Sequence, residues 1–351
     1  MRRTIKGFLL LAVLLVAHLH ARAAEIRETN NKLCAFALEG AIVAGDYDRL
    51  SGLITSSRLD DLDERTVSLC LKSAGESYVE GLKIAELIYS QGLSTVVADG
   101  SECFSACAII FMAGVLSDKP GSVSVRPIMP YRKLSAGGIL GFHAPYLSML
   151  GEKYSKEQVE SATQSMRKAI LGLAEFASKE TMLAAGDFIK KSLMVGILGK
   201  GPQDVLFVKT IGDAARWNIE IYDAGMQFPK PSRIDEVKNI CNNFHYSHMD
   251  KTVPSNTNFS LKVEQYASKF PPDFRILVRD GNTGDTVCEI YPMTTKGSSE
   301  VSFLACSYDY WSSRSFGDCR EYKTAFLFGR AEFVPHFFTF SPLTLLKKFK
   351  N

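Results

Sequence analysis

No two cysteines in this 351-residue sequence stand in a Cys-x-x-Cys pair, and His245 and His248 lie beside only one cysteine, Cys241. The paired ligands that structural zinc sites use are therefore missing. A charge excess is missing too. The first 23 residues carry Arg2, Arg3, Lys6 and Arg22 and no acidic residue; without them 37 basic residues face 38 acidic ones, a net charge of −1. Such a balance gives no electrostatic case for nucleic acid. The chain has no internal repeat and no low-complexity tract, and its apolar stretch from Phe8 to Ala17 is short for a span of the bilayer core.

What is present begins with that stretch. Basic residues before it and the small-residue pattern Ala21-Arg22-Ala23 after it read as a secretory signal peptide, residues 1–23, cleaved after Ala23. No cysteine follows the cleavage site, so a lipoprotein anchor is not expected, and neither is a stable membrane span after cleavage. The expected location is periplasmic or secreted. All eight cysteines (34, 70, 103, 107, 241, 288, 306 and 319) lie in the exported part, and an even number in an oxidising compartment predicts disulfides. Cys34 and Cys70 fall on strand candidates and could bridge neighbouring strands, while Cys103 and Cys107 flank Ser105.

The length exceeds a typical single domain and predicts two. In the first, residues 24–228, strand candidates at 32–43, 67–71 and 94–98 alternate with helical patterns. Tyr47 to Ile54 has helical spacing. Ser77 precedes apolar positions Tyr78, Leu82, Ala85, Ile88 and Tyr89, and Gly92 ends that helix. This order predicts a parallel sheet with flanking helices. Gly138 to Phe142 leads as a strand or turn into His143-Ala144-Pro145. Ser155-Lys156-Glu157-Gln158 is a capping box that opens a helix with Val159, Ala162, Met166, Ile170 and Leu173 on one face. A second helical stretch is expected over about 179–195, then a short helix at 212–217 and a last strand at 219–221. Phe228-Pro229-Lys230-Pro231 reads as a linker. Beyond it, residues 232–351 read as a small β-rich domain stapled by disulfides, with strand candidates at 259–263, 275–279, 286–291, 301–306 and 325–328.

Ser105 lies in Glu102-Cys103-Phe104-Ser105-Ala106-Cys107, between a strand candidate and the apolar helix candidate at Ala108 to Met112. A hydroxyl at the mouth of a helix, where unpaired N–H groups point outward, is placed to attack a carbonyl and hold the oxyanion. A serine needs a base, and histidine is the usual one near neutral pH. His18 and His20 leave with the signal, and His245, His248 and His336 lie past the linker, so His143 is the only histidine in the domain that holds Ser105. Taken alone, such a histidine is more often a satisfied, partly buried side chain than a catalytic base.

Several motifs occur together and in order: Leu69-Cys70-Leu71-Lys72-Ser73-Ala74-Gly75-Glu76, Glu80-Gly81-Leu82, Phe104-Ser105-Ala106 with Ala113-Gly114 beyond it, and Gly141-Phe142-His143-Ala144-Pro145. Over about residues 30–224 the chain resembles the proteolytic subunit of the caseinolytic (Clp) protease and its crotonase-fold relatives, most closely exported Clp-protease-like proteins with a C-x-S-A-C motif. The resemblance implies an α/β fold of the Clp-protease/crotonase type. It also implies Ser105 as nucleophile, His143 as general base, and the backbone N–H groups of Gly75 and Ala106 as the oxyanion hole. Asp204 occupies the region of the orienting acid, with Asp187 and Asp213 as competitors that suit solvated or capping carboxylates. Lys72 and Lys133 are the candidates for a serine–lysine alternative.

The chain departs from the family where Ser73-Ala74-Gly75-Glu76 replaces a serine-proline-glycine-glycine run, and where an insertion around Asp118 to Ala136 could form a lid or an interface. The expected activity is peptide-bond cleavage through an acyl-enzyme on Ser105, with no metal and no cofactor. Peptides or unfolded protein would be the substrate, and the helix from Ser155 would carry self-association into a homo-oligomer. The alternative keeps the fold as an inactive periplasmic binding or scaffold protein in which Ser105 only caps its helix. A crotonase-type acyl-CoA activity is disfavoured by export.

Overall fold

A computed structural model describes residues 23–57, 67–117, 120, 126–146, 153–182, 187–201, 204–253, 262–265, 274–280, 284–294, 301–309 and 331–350. The expected signal peptide, apart from Ala23, lies outside them. The first unit runs β1 (Glu25–Asn31), β2 (Cys34–Glu39), α1 (Asp46–Ser56), β3 (Ser68–Lys72), α2 (Tyr78–Gln91), β4 (Ser94–Val97), β5 (Glu102–Phe104) and α3 (Ala106–Phe111). It continues through β6 (Val115–Ser117), β7 (Pro127–Pro130), β8 (Arg132–Leu134), β9 (Ile139–Phe142), α4 (Lys156–Ala177), α5 (Lys191–Leu198), β10 (Leu206–Phe207), α6 (Ile211–Arg216), β11 (Glu220–Ile221) and α7 (Ala224–Gln227).

Two sheets organise it. The larger has the order β1-β2-β3-β4-β8-β11, and every pair is parallel except β1 with β2. Parallel strands are covered on both faces and so read as continuous apolar runs; all four residues of β4 are buried, as are Leu69 and Leu71 of β3. The smaller sheet, β10-β9-β5, pairs β5 with β9 in parallel and β9 with β10 antiparallel. A bridge between Ser73 and Cys103 joins it to the end of β3. Helix α2 covers the junction. Its Ser77 side chain accepts the Glu80 amide, Gly92 ends it in the left-handed conformation, and Gly81 approaches Ala106 so closely that a Cβ there would lie 2.8 Å from the alanine Cβ. The mixed α/β architecture, mostly parallel with flanking helices, agrees with the sequence pattern.

Two expectations are corrected here. The inserted region is no lid over its described part, because β7 pairs with β6 and β8 is an inner strand of the main sheet. Residues 118, 119 and 121–125 lie outside the described set. Nor does a helix fill 179–195: α5 starts only at Lys191, and Phe188 and Ile189 turn into the core. Arg132 on β8 holds this segment. Fully buried, it donates to the carbonyls of Phe188 (3.1 Å) and Trp217 (3.3 Å) and stacks 4.5 Å over the Phe188 ring, and burial pushes its pKa down to about 9.

After the linker comes α8 (Arg233–His248), which the strand pattern did not anticipate. It is followed by an antiparallel sheet in the order β12 (Lys262–Gln265), β13 (Phe274–Asp280), β14 (Gly284–Thr294), β15 (Val301–Asp309), β16 (Ala331–Val334). The strand candidate at 325–328 lies outside the described residues. The β13–β14 hairpin closes with Asp280 opposite Gly284, at the turn cluster read from sequence. Among the described residues three disulfides form: Cys34–Cys70 across β2 and β3, Cys103–Cys107 around Ser105, and Cys241–Cys288 between α8 and β14. Cys241 is thus committed to a disulfide, which closes the weak zinc alternative at His245 and His248. Disulfides of this number fit a chain outside the reducing cytoplasm. Among the described residues no helix is long and apolar enough to cross a membrane.

Candidate active site

Ser105 occupies the single residue between β5 and α3 and turns the chain with φ 57° and ψ −122°. That is a region L-residues rarely enter, costing about 1–3 kcal/mol where surroundings enforce it. Three contacts enforce it here. The Ser105 amide donates to Gly141 O on β9 at 3.1 Å. Gly75, with φ 94°, lies against the serine so tightly that a Cβ on it would stand 2.7 Å from both Phe104 O and Ser105 Cβ. Finally, Cys103 and Cys107 close a disulfide around the turn, with Cα atoms 5.2 Å apart, inside the usual range. A bridge across only three intervening residues therefore fits at this turn.

Despite its place at the helix start, the Ser105 side chain caps nothing, and none of the described residues hydrogen bonds to its Oγ. The residue is 7% exposed. Ala106 opens α3, so its N–H has no intrahelical acceptor. The Gly75 N–H is engaged: it donates to the buried Ser73 Oγ at 2.9 Å. Its neighbour Glu76 has φ 119°. Glu76 bridges to Ile42 through Gly75 O and Ser77 N, and the Glu76 amide itself is turned away from that bridge. Among the described residues four non-glycines have positive φ, Glu76, Ser105, Asn218 and Asp250. Asn and Asp tolerate that region; the two that do not, Glu76 and Ser105, flank the Gly75 contact.

His143 follows β9 directly. Because Phe104 pairs with Gly141 in parallel register, Ser105 and His143 leave the carboxyl ends of adjacent strands, where open α/β sheets place their sites. The half-buried His143 ring holds Ala144 O at 2.9 Å through Nδ1 and packs 5.3 Å from Tyr146. A carbonyl oxygen can only accept, so Nδ1 is a donor here, and in the neutral ring that places the lone pair on Nε2, the tautomer a general base requires. No hydrogen bond joins His143 to Ser105.

The expected acid lies nearby without a bond. Leu206 pairs with Phe142, and continuing that register sets Val205 opposite His143, with exposed Asp204 one residue further on. The Asp204 amide donates to Gly201 O, but its carboxylate does not reach His143. Asp213 is a capping carboxylate: it closes a capping box with Thr210 and pairs with Arg216 at 3.5 Å. Asp187 is exposed. Lys133 stacks 4.5 Å from the Tyr131 ring centroid and Lys72 is exposed, and neither bonds to Ser105. The structure therefore gathers Ser105, Ala106, Gly75 and His143, and leaves Asp204 at the edge.

Sequence reasoning missed two participants. Ser73 holds the Gly75 amide, and its place two residues before that glycine was visible without its bond. The Ala144 carbonyl orients His143, and a backbone group leaves no side-chain signal. Neither a protein-family model nor a curated protein matches this chain.

Proposed function

We propose that this chain is an exported serine peptidase with a Clp-protease/crotonase-like fold that cleaves peptide bonds through an acyl-enzyme on Ser105. The observation that carries the reading is the enforced turn at Ser105, which holds a strained serine at the carboxyl ends of parallel strands with its Oγ unused. A serine kept only for structure would spend that hydroxyl on its helix.

In this reading the Ser105 Oγ attacks the peptide carbonyl as its proton passes to His143 Nε2. The carbonyl electron pair moves onto oxygen, where the Ala106 N–H and a strand-end amide receive it; each such donor is typically worth about 3 kcal/mol in the transition state. Gly75 serves as that second donor once Ser73 releases it, whereas the Glu76 amide carries no such bond. Collapse breaks the C–N bond and the amine leaves with the proton from His143. Water, deprotonated by the same Nε2, then hydrolyses the ester. Asp204 would complete a triad if substrate binding draws it toward His143, and Ala144 O orients the ring without it. Peptides or unfolded segments fit as substrate, the disulfides fit a periplasmic or secreted location, and the helix α4 fits self-association.

One observation favours a second reading, a binding or scaffold protein without catalysis: Ser105 and His143 share no hydrogen bond. A fluorophosphonate probe on the purified, oxidised chain decides between them. The peptidase reading expects labelling of the wild type that vanishes in Ser105→Ala and falls sharply in His143→Ala. Labelling that persists in Ser105→Ala, or none in the wild type, overturns it.

A further inference from the structure

The β-rich module is not an appendage to the site. After β16, a short 3-10 turn (His336–Thr339) is fastened to α8: Asn239 donates to Thr339 O at 2.8 Å, and Asn243 donates to Phe338 O and Phe340 O at 3.0 and 2.9 Å. The chain then runs back along the first unit. Gly212 N donates to Pro342 O (2.9 Å), Ile211 N to Thr344 O (3.1 Å), Leu346 N to Lys209 O (2.8 Å) and Lys347 N to Ala136 O (2.7 Å), with Thr210 bridged antiparallel to Leu345. Leu346 is wholly buried.

The end of this segment reaches the serine turn through three aromatic rings. Phe349 packs on Phe207 of β10, centroids 5.5 Å apart, and Phe207 packs edge-on to Phe104, 6.1 Å apart. Lys209 Nζ lies 5.9 and 5.8 Å over the Phe207 and Phe349 rings. Phe104 immediately precedes Ser105, and its ring crosses β9 so closely that a Cβ on Gly141 would meet it at 2.7 Å. Gly141 in turn supplies the carbonyl that holds the Ser105 amide. The two-residue strand β10 pairs with β9 on one side, and beyond its end the returning segment pairs with residues 209–212.

We propose that residues 342–350 are a positioning strap for the candidate active site, with Phe349 acting on Ser105 through Phe207 and Phe104. Placement of a nucleophile is sensitive to small displacements, and a ring stack ending at the residue before Ser105 transmits them. The strap gives the C-terminal module a role at the site: through α8 and the 3-10 turn, that module fixes where the strap begins. The proposal rests on the Ser105 reading for its functional consequence and on packing alone for its structural one.

The test uses the full chain with Phe349→Ala, Phe349→Tyr and wild type, read by hydrogen exchange and by fluorophosphonate labelling rate. Phe349→Ala is expected to speed exchange at the Val208 and Ser105 amides, leave the β2 and β3 amides unchanged, and slow labelling about tenfold or more. Phe349→Tyr, which keeps the ring, is expected to restore both. Faster exchange confined to residues 342–350 with unchanged labelling overturns the strap. Should Phe349→Ala unfold, Phe349→Leu replaces it, keeping apolar cover without the ring, and the same two readouts decide. If no chain is labelled, the peptidase reading falls, while exchange at Val208 and Ser105 still decides whether the strap positions the turn.

Discussion

Cys103 and Cys107 are joined across Ser105, one from the middle of β5 and the other from the first turn of α3, and both are wholly buried. Cross-linking stabilises a fold mainly by restricting the unfolded chain, and the effect grows with loop length. With a sequence separation of 4 this bridge is worth about 2 kcal/mol, against about 4 kcal/mol for Cys34–Cys70 with its separation of 36. The shorter bridge therefore contributes less to global stability while acting directly on the serine.

That contrast predicts a crossing of effects. Replacing Cys103 and Cys107 by Ala should lower the melting temperature less than replacing Cys34 and Cys70, yet slow fluorophosphonate labelling about tenfold or more. The Cys34/Cys70 variant should label like wild type at temperatures where it is folded. Thermal denaturation and labelling rates on the two double variants check this, and equal labelling in both would remove the functional role of the short bridge.

Gly75→Ala tests the wall behind the nucleophile. The new methyl has no room, since Phe104 O and Ser105 Cβ each lie 2.7 Å from its position and the backbone there has φ 94°. The expected cost is about 1–3 kcal/mol from strain and overpacking, with labelling of Ser105 reduced more than tenfold as the turn shifts. Gly45→Ala is the matched control: φ is 96° there, but nothing lies within 4 Å of the added carbon. It should incur comparable backbone strain and keep its labelling rate, measured in the same assay.

Glu80 gives the fold an acid-sensitive joint. Only 3% exposed, it projects from α2 to accept the amides of Gly45 and Tyr47, both at 2.9 Å, at the start of α1, whose own N-cap offers no side chain. Burial alone would push its pKa up, but the Tyr47 amide, the Lys83 ammonium at 3.1 Å and the Gly45 amide outweigh it and hold the carboxyl below its ordinary value of 4.5. A carboxyl whose pKa is lower in the folded than in the unfolded chain adds stability above the unfolded value. That stability declines as pH falls below about 4.5 and is lost once pH passes below the lowered native value. Glu80→Gln should destabilise by about 1–3 kcal/mol at pH 7 and by much less at pH 3. Urea denaturation at the two pH values measures the difference, and an equal loss at both would contradict the assignment.

The elements that could be read from the sequence are those whose signals are local. Ser77 and Gly92 bracket α2, the capping box at Ser155 opens α4, and apolar runs mark β3 and β4. Ser105 was legible because it opens an apolar helix pattern, and His143 because it follows the strand or turn at Gly138 to Phe142. Strand β5 escaped because three residues carry no periodicity and are held through Ser73 and Gly141. Lys179 to Lys190 is rich in helix formers but gives the Phe188 carbonyl to Arg132, 56 positions away. The strap was invisible for the same kind of reason, since its backbone hydrogen bonds reach residues 136 and 209–212. Nor does any side chain announce that the Gly75 amide is taken or that Ala144 O orients His143.

The capping box at Ser155 also leads to the last prediction. It fixes the start of α4, but along this 22-residue helix only Ala169, Leu173, Phe176 and Ala177 are buried. Of the apolar face read from sequence, Leu173 is covered, whereas Val159 and Met166 remain 45% and 36% exposed, and Leu171 is 55% exposed on the same helix. The helix is anchored at its C-terminal end, where Gly172 meets Leu82 and Phe176 packs against Tyr89 and Phe188. In the proposed self-association, the apolar stripe that continues past this anchor supplies the contact surface. A second copy of this chain, offering the same stripe in a symmetric contact, is the occupant expected from the proposed self-association. Val159→Glu with Met166→Glu should convert an oligomer to a monomer in sedimentation velocity without loss of helicity or melting temperature, because neither side chain supports the fold. A wild-type chain that sediments as a monomer at tens of micromolar would sink this expectation and leave the stripe for another partner.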